Sequence, residues 1–96
     1  MAIKTIIELQ AKAGQRDELV RSMTEVTATL QAVPGNLGFS FYEVLDNPDV
    51  LIKIAEWESP EARQIWLKQS MDSRALSLLI ESLGAPFKAT NIRQMP

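Results

Sequence analysis

A chain of 96 residues with neither histidine nor cysteine leaves few side chains able to do chemistry. The commonest general base and metal ligand is missing, and so are thiolate nucleophiles, disulfides and thiolate-held zinc or iron–sulfur sites. Tyr42, the single tyrosine, offers a hydroxyl that can exchange a proton with a bound ligand, or can sit in a subunit interface. Glu56 falls in alternation with Ile52 and Ile54. A carboxylate on an apolar row suits proton abstraction, or else an ion pair with Lys53, Arg93 or a residue of a second subunit. Trp66 places an indole in the otherwise polar opening of a helix, where with Ala62, Ile65 and Gln69 it can dock that helix if its N–H finds a partner. Phe39 and Phe41 share one side of an extended run and read as core. Met71 is a flexible gap-filler, and Arg74, early in a later helix, can orient an anionic ligand or face solvent.

These residues need elements to position them. Residues 2–10 alternate Ile3, Thr5, Ile7 and Leu9 against Lys4, Ile6, Glu8 and Gln10, the period-two, β-branched pattern of a strand. After a turn at Gly14, Leu19, Met23, Val26, Leu30 and Val33 recur at spacings of four and three, which predicts an amphipathic helix from Gln15 to about Val33. Pro34-Gly35 ends it. Two extended runs, Leu37 to Leu45 and Val50 to Glu58, flank the turn-forming Asp46-Asn47-Pro48-Asp49 and predict an antiparallel hairpin. Ser59-Pro60-Glu61 combines an N-cap, a first-position proline and a first-turn acid. Asp72 or Ser73 can cap a further helix through Leu76, Leu79, Ile80 and Leu83, and Phe87 to Met95 alternates as a last strand.

The order strand, helix, strand, strand, helix, strand predicts one α+β domain over residues 1–96, a ferredoxin-like βαββαβ plan with a four-stranded antiparallel sheet and the helices on one face. Neither face of that sheet is clearly polar. Ile6 shares a row with charged neighbours, and the third strand splits Val50, Ile52 and Ile54 from Leu51, Ala55 and Trp57. Trp57 reads as an anchor for the sheet edge or a dimer contact. A sheet apolar on both sides but covered on one needs a second cover, so a homodimer through the sheet face is expected.

Composition narrows the function classes. Apolar residues make up 46% of the chain and charged ones 23%, with a net charge of -2 and no basic footprint for nucleic acid. No run is long enough for a membrane span and the start lacks a signal-peptide core, so a cytoplasmic protein with no nucleic-acid or membrane partner is expected.

In order and spacing, Gly14, "PGNLGFSFYEV", "AEWESPEA" and the helical pair that follows resemble the antibiotic biosynthesis monooxygenase (ABM) family of dimeric α+β barrels across nearly the whole chain. The resemblance implies two sheets paired into a barrel, with a pocket in each protomer between its sheet and helices. Members include cofactor-free oxygenases of phenols and quinols, small-metabolite enzymes and haem-degrading enzymes. Many carry two histidines at the places held here by Trp66 and Met71. The haem-degrading branch has a tryptophan at the first place, but pairs it with a later histidine, here Leu76, and a first-strand asparagine, here in the region of Ile6, Ile7 and Glu8. That mechanism is disfavoured. The resemblance instead implies a small apolar or aromatic ligand, with Trp66 as wall and N–H donor, Tyr42 or Glu56 as proton partner, and Phe39, Phe41, Met71 and Arg74 as binding residues. No metal and no cofactor are expected. The alternative is a non-catalytic dimeric small-molecule-binding protein of the same fold.

Overall fold

A computed structural model describes residues 2–30, 33–70 and 73–96. Strands β1 (Ile3–Gln10), β2 (Asn36–Glu43), β3 (Val50–Trp57) and β4 (Lys88–Ile92) form one sheet in the order β2-β3-β1-β4, and every pairing is antiparallel. Three helices, α1 (Arg16–Leu30), α2 (Pro60–Ser70) and α3 (Arg74–Glu81), complete the α+β ferredoxin-like fold. The sequence reading extends the first helix to Val33; α1 closes at Leu30, and positions 31–32 lie outside the described residues.

Register decides which side chains meet the helices. Ile3, Thr5, Ile7 and Leu9 lie opposite Trp57, Ala55, Lys53 and Leu51, and all eight belong to the face that the helices cover. Leu19, Met23 and Val26 of α1 and Leu79 of α3 pack on Leu9 and Leu51, each buried aliphatic side chain contributing roughly 1.5–3 kcal/mol. Ile3, Ala55, Trp57 and Ala62 form a second cluster under α2. Thr5, fully buried among them, satisfies its hydroxyl by donating to Asn91 Oδ1 of β4 at 2.8 Å.

The joints follow local chemistry. The Ala62 N–H donates to Ser59 Oγ at 3.2 Å, so Ser59 caps α2 as its sequence position predicts. Ser73 caps α3 with its backbone, accepting from the Ser77 N–H at 3.1 Å. Gly35 has φ 86° and its carbonyl accepts from the Glu58 N–H at 2.8 Å. A Cβ there would stand 2.5 Å from Ala62 Cβ, so the turn that ends the first crossover also seats α2 against the sheet.

The second face of the sheet carries Ile6, Ile52, Ile54 and Ile92 beside Lys4, Tyr42 and Glu56. No helix packs on it among the described residues. No helix there is long and apolar enough to cross a membrane.

Candidate functional site

Between the sheet and its helices lies an apolar cavity of about 80 Å³. Its floor is the helix-facing row of β1 and β3, from Thr5 and Ile7 across to Lys53, Ala55 and Trp57, with Ala89 of β4 at the side. Trp66 and Leu67 of α2 and Leu76 and Leu79 of α3 form its roof. Ile80 and Phe87, each half exposed, stand where α3 hands over to β4 and form its mouth.

Among the described residues, Trp66 is the one sequence-predicted site residue that lines this cavity. It touches both core clusters, and its ring centroid lies 5.9 Å from that of Trp57, with the planes 35° apart. The two indoles make a continuous aromatic wall from floor to roof. Trp57 is 1% exposed on the helix face, so it is a core residue of its own subunit rather than a contact at a sheet edge.

The other candidates are not brought to Trp66. Tyr42 lies opposite Ile52 on the uncovered face and is 52% exposed, and Glu56 lies opposite Lys4 on that same face. Both are separated from the cavity by the thickness of the sheet, because side chains of even and odd residues in a strand point to opposite sides. Phe39 and Phe41 do face the helices, with ring centroids 5.6 Å apart, but they belong to β2, the edge strand away from the cavity. Phe39 packs on the Trp57 cluster and Phe41 borders a shallow surface hollow near Arg16 and Val20. Arg74 is exposed at the start of α3 and does not line the cavity. Met71 lies outside the described residues.

Two cations that the sequence reading did not place here do line the cavity. Lys53 is 4% exposed, with its Nζ 5.8 Å from the centroid of the Phe39 ring. The ion pair that the sequence suggested between Lys53 and Glu56 does not form, since the two side chains leave β3 on opposite faces. Among the described residues no carboxylate pairs with Lys53 or with Arg63, the half-buried guanidinium of α2 that also lines the cavity. Burial pushes the Lys53 amine down from its ordinary 10.5 to about 8, and burial likewise lowers Arg63. The signal was legible: Lys53 alternates with Leu51, Ala55 and Trp57, a lysine in an apolar row, and Arg63 sits one helical turn before Trp66 and Leu67.

Several solved structures share this architecture. A conserved protein from Methanosarcina mazei Go1 superposes with a TM-score of 0.87 at 19% identity, over 99% of this chain and 94% of that one. Rv0793 from Mycobacterium tuberculosis gives 0.80 at 16% identity, over 100% and 97%. SnoaB, a cofactor-independent oxygenase from Streptomyces nogalater, gives 0.86 at 13% identity, over 99% and 94%. At such identities the likeness is one of fold. No curated protein matches the sequence. The family described as antibiotic biosynthesis monooxygenase matches residues 2–75, most of the chain and every element up to the first two residues of α3, and the protein belongs to that family.

Proposed function

We propose that the protein is a cofactor-independent monooxygenase acting on a small aromatic, phenol- or quinol-like substrate held in the cavity beneath Trp66. The observation that carries this reading is the cavity itself, an apolar chamber walled by two indoles with a buried amine in its floor. Family membership and the shared fold of an oxygenase that needs no cofactor support it.

The chemistry asks little of the protein. A phenol that loses its proton becomes an electron-rich anion, and its ring carbon para to the oxygen can bond to dioxygen. The outer peroxide oxygen takes up the proton, the C–H bond at that carbon and the O–O bond then break, and water leaves as the carbon becomes a carbonyl. One oxygen atom enters the substrate, the other leaves as water, and the substrate supplies both electrons. The protein must bind the ring, exclude water and manage one proton. At about 80 Å³ the cavity is smaller than the roughly 150 Å³ void that takes a benzene ring, so the substrate is small and parts Ile80 and Phe87 as it enters.

The uncovered sheet face supports the proposal that two copies pair through it. Tyr42 and Glu56 would then serve the interface rather than the cavity, since they stand among its isoleucines. A second reading, a dimeric protein that binds a small aromatic without oxidising it, is favoured by the same placement, which leaves the cavity without a hydroxyl or carboxylate from either residue.

Oxygen uptake with an electron-rich single-ring phenol that carries hydrogen on its para carbon separates the two. Consumption of one dioxygen per substrate above the uncatalysed rate is expected, falling about tenfold or more in Trp66→Phe, which keeps an aromatic ring but loses the N–H and part of the wall. Substrate that quenches tryptophan fluorescence with no oxygen uptake by the parent protein would leave the binding reading and remove the enzymatic one.

A further inference from the structure

Lys53 has no structural task that its surroundings reward. A lysine in a core row is ordinarily matched by a carboxylate, because a buried charge without a partner is costly. Here its nearest aromatic partner is Phe39 at the edge of cation–π range, and among the described residues no acid reaches it. The elements packed around it supply one other charged group to the cavity, Arg63 of α2, and that is a second cation. β1 presents Ile7 directly opposite, β2 presents Phe41, and α1 and α3 present only apolar side chains to the same space. Among the described residues, two cations face an otherwise apolar chamber and no anion does.

We propose that the missing anion is the ligand: the cavity takes an aromatic compound with an acidic hydroxyl and holds it as the phenolate, its oxygen on Lys53 Nζ and Arg63 reinforcing the charge from the roof. The proposal rests on the reading of this cavity as the ligand site and supplies the proton acceptor that Tyr42 and Glu56, on the far face, do not provide. The step balances simply. The O–H bond of the phenol breaks, its proton passes to the amine where that is neutral and to water where it is already an ammonium, and an ammonium–phenolate pair remains with no change in oxidation. The amine's lowered proton affinity keeps a neutral fraction ready near physiological pH. The chamber's low polarity then makes the new ion pair stronger than it would be in water. Neutral aromatics of the same size gain only the apolar contacts, so acidity of the hydroxyl becomes a determinant of specificity.

The probe is para-nitrophenol, whose phenolate absorbs apart from its phenol, read at a pH about one unit below the probe's own pKa. Saturating protein is expected to raise the phenolate-to-phenol ratio about tenfold or more over the free probe. Lys53→Met, with Lys53→Gln as a second variant, should abolish that rise while para-nitroanisole, which has no proton to lose, still quenches tryptophan fluorescence. A parent protein that binds the probe without enriching the phenolate, or does not bind it, overturns the proposal whatever the variants do. So does full enrichment in either Lys53 variant. Because the readout involves no oxygen, its outcome is separable from the oxygenase reading: phenolate enrichment without oxygen uptake keeps the anion site alone, and oxygen uptake without enrichment keeps the oxygenase alone.

Discussion

At the scale of a residue, Lys53 makes the cavity's chemistry and the fold's stability pull in opposite directions. Near neutral pH it is mostly protonated in the folded chain and fully so in the unfolded one, and desolvating that charge in the folded state costs stability. Its folded value of about 8 lies below the ordinary 10.5, so between the two the unfolded chain binds more protons and the free energy of unfolding rises with pH. The gain over that window is of order 3 kcal/mol. Lys53→Met keeps the aliphatic length and deletes the charge. We therefore expect the variant to be more stable than the parent at pH values below about 8, by up to roughly 3 kcal/mol, with the difference fading as pH rises toward the unfolded value. Urea midpoints of both proteins on either side of the window check this, and parallel pH slopes would show that the amine is not desolvated. The sequence contains this residue's role in one respect only: parity puts Lys53 in the row of Leu51, Ala55 and Trp57. Pairing it with Glu56 ignores that residues an odd number apart on a strand face away from each other.

At the scale of elements, what could be read from the chain is what depends on local patterning. The β-branched alternation of β1, the three-and-four spacing of Leu19, Met23 and Val26, and the Ser59-Pro60-Glu61 start of α2 are each local statements, and each element stands where its pattern puts it. The break between α2 and α3 was legible for the same reason, as Ser73 is a helix-starting residue. A pocket between sheet and helices, with Trp66 in its wall, was implied by the family resemblance alone; the rest of its lining was not legible, because it depends on which strand lies under which helix. Phe39 and Phe41 are on the correct face yet miss it, since β2 ends up at the sheet edge while β1 occupies the centre between β3 and β4. One glycine ties these elements together. Gly35 holds a left-handed φ of 86° and leaves room for Ala62, which is buried under the first turn of α2. Gly35→Ala forces a strained backbone and a clash with a helix already docked on Trp57. The expected cost is about 2–4 kcal/mol, seen as a fall in Tm of roughly 10 °C or more for a domain of this size. A Tm within a degree or two of the parent's would mean that α2 is not seated through this contact.

At the scale of the whole molecule, β3 has two occupations. Its odd residues floor the cavity, while Ile52 and Ile54 on its other side stand in the row with Ile6 and Tyr42 that no helix covers. A stable pairing of two such faces needs about 800 Å² from each partner, a modest share of the 6534 Å² that this chain exposes. Ile54 is the place to test it, because it lies directly opposite Ile6 on one side and Ser40 on the other, near the middle of the face. Ile54→Asp would bury a carboxylate against that row in a dimer but leave it solvated in a monomer. Light scattering at micromolar concentration should give a dimeric mass for the parent and a monomeric mass for the variant, and a monomeric parent contradicts the pairing outright. The same variant asks whether the site belongs to one chain. The described residues that line the cavity lie on the helix side of the sheet, opposite Ile54, so the Ile54→Asp monomer should still bind para-nitroanisole within a few-fold of the parent's affinity. If dissociation instead removes the tryptophan fluorescence response, the floor built by Lys53, Ala55 and Trp57 holds its shape only when β3 is backed by a second sheet, and assembly would then be a condition of binding.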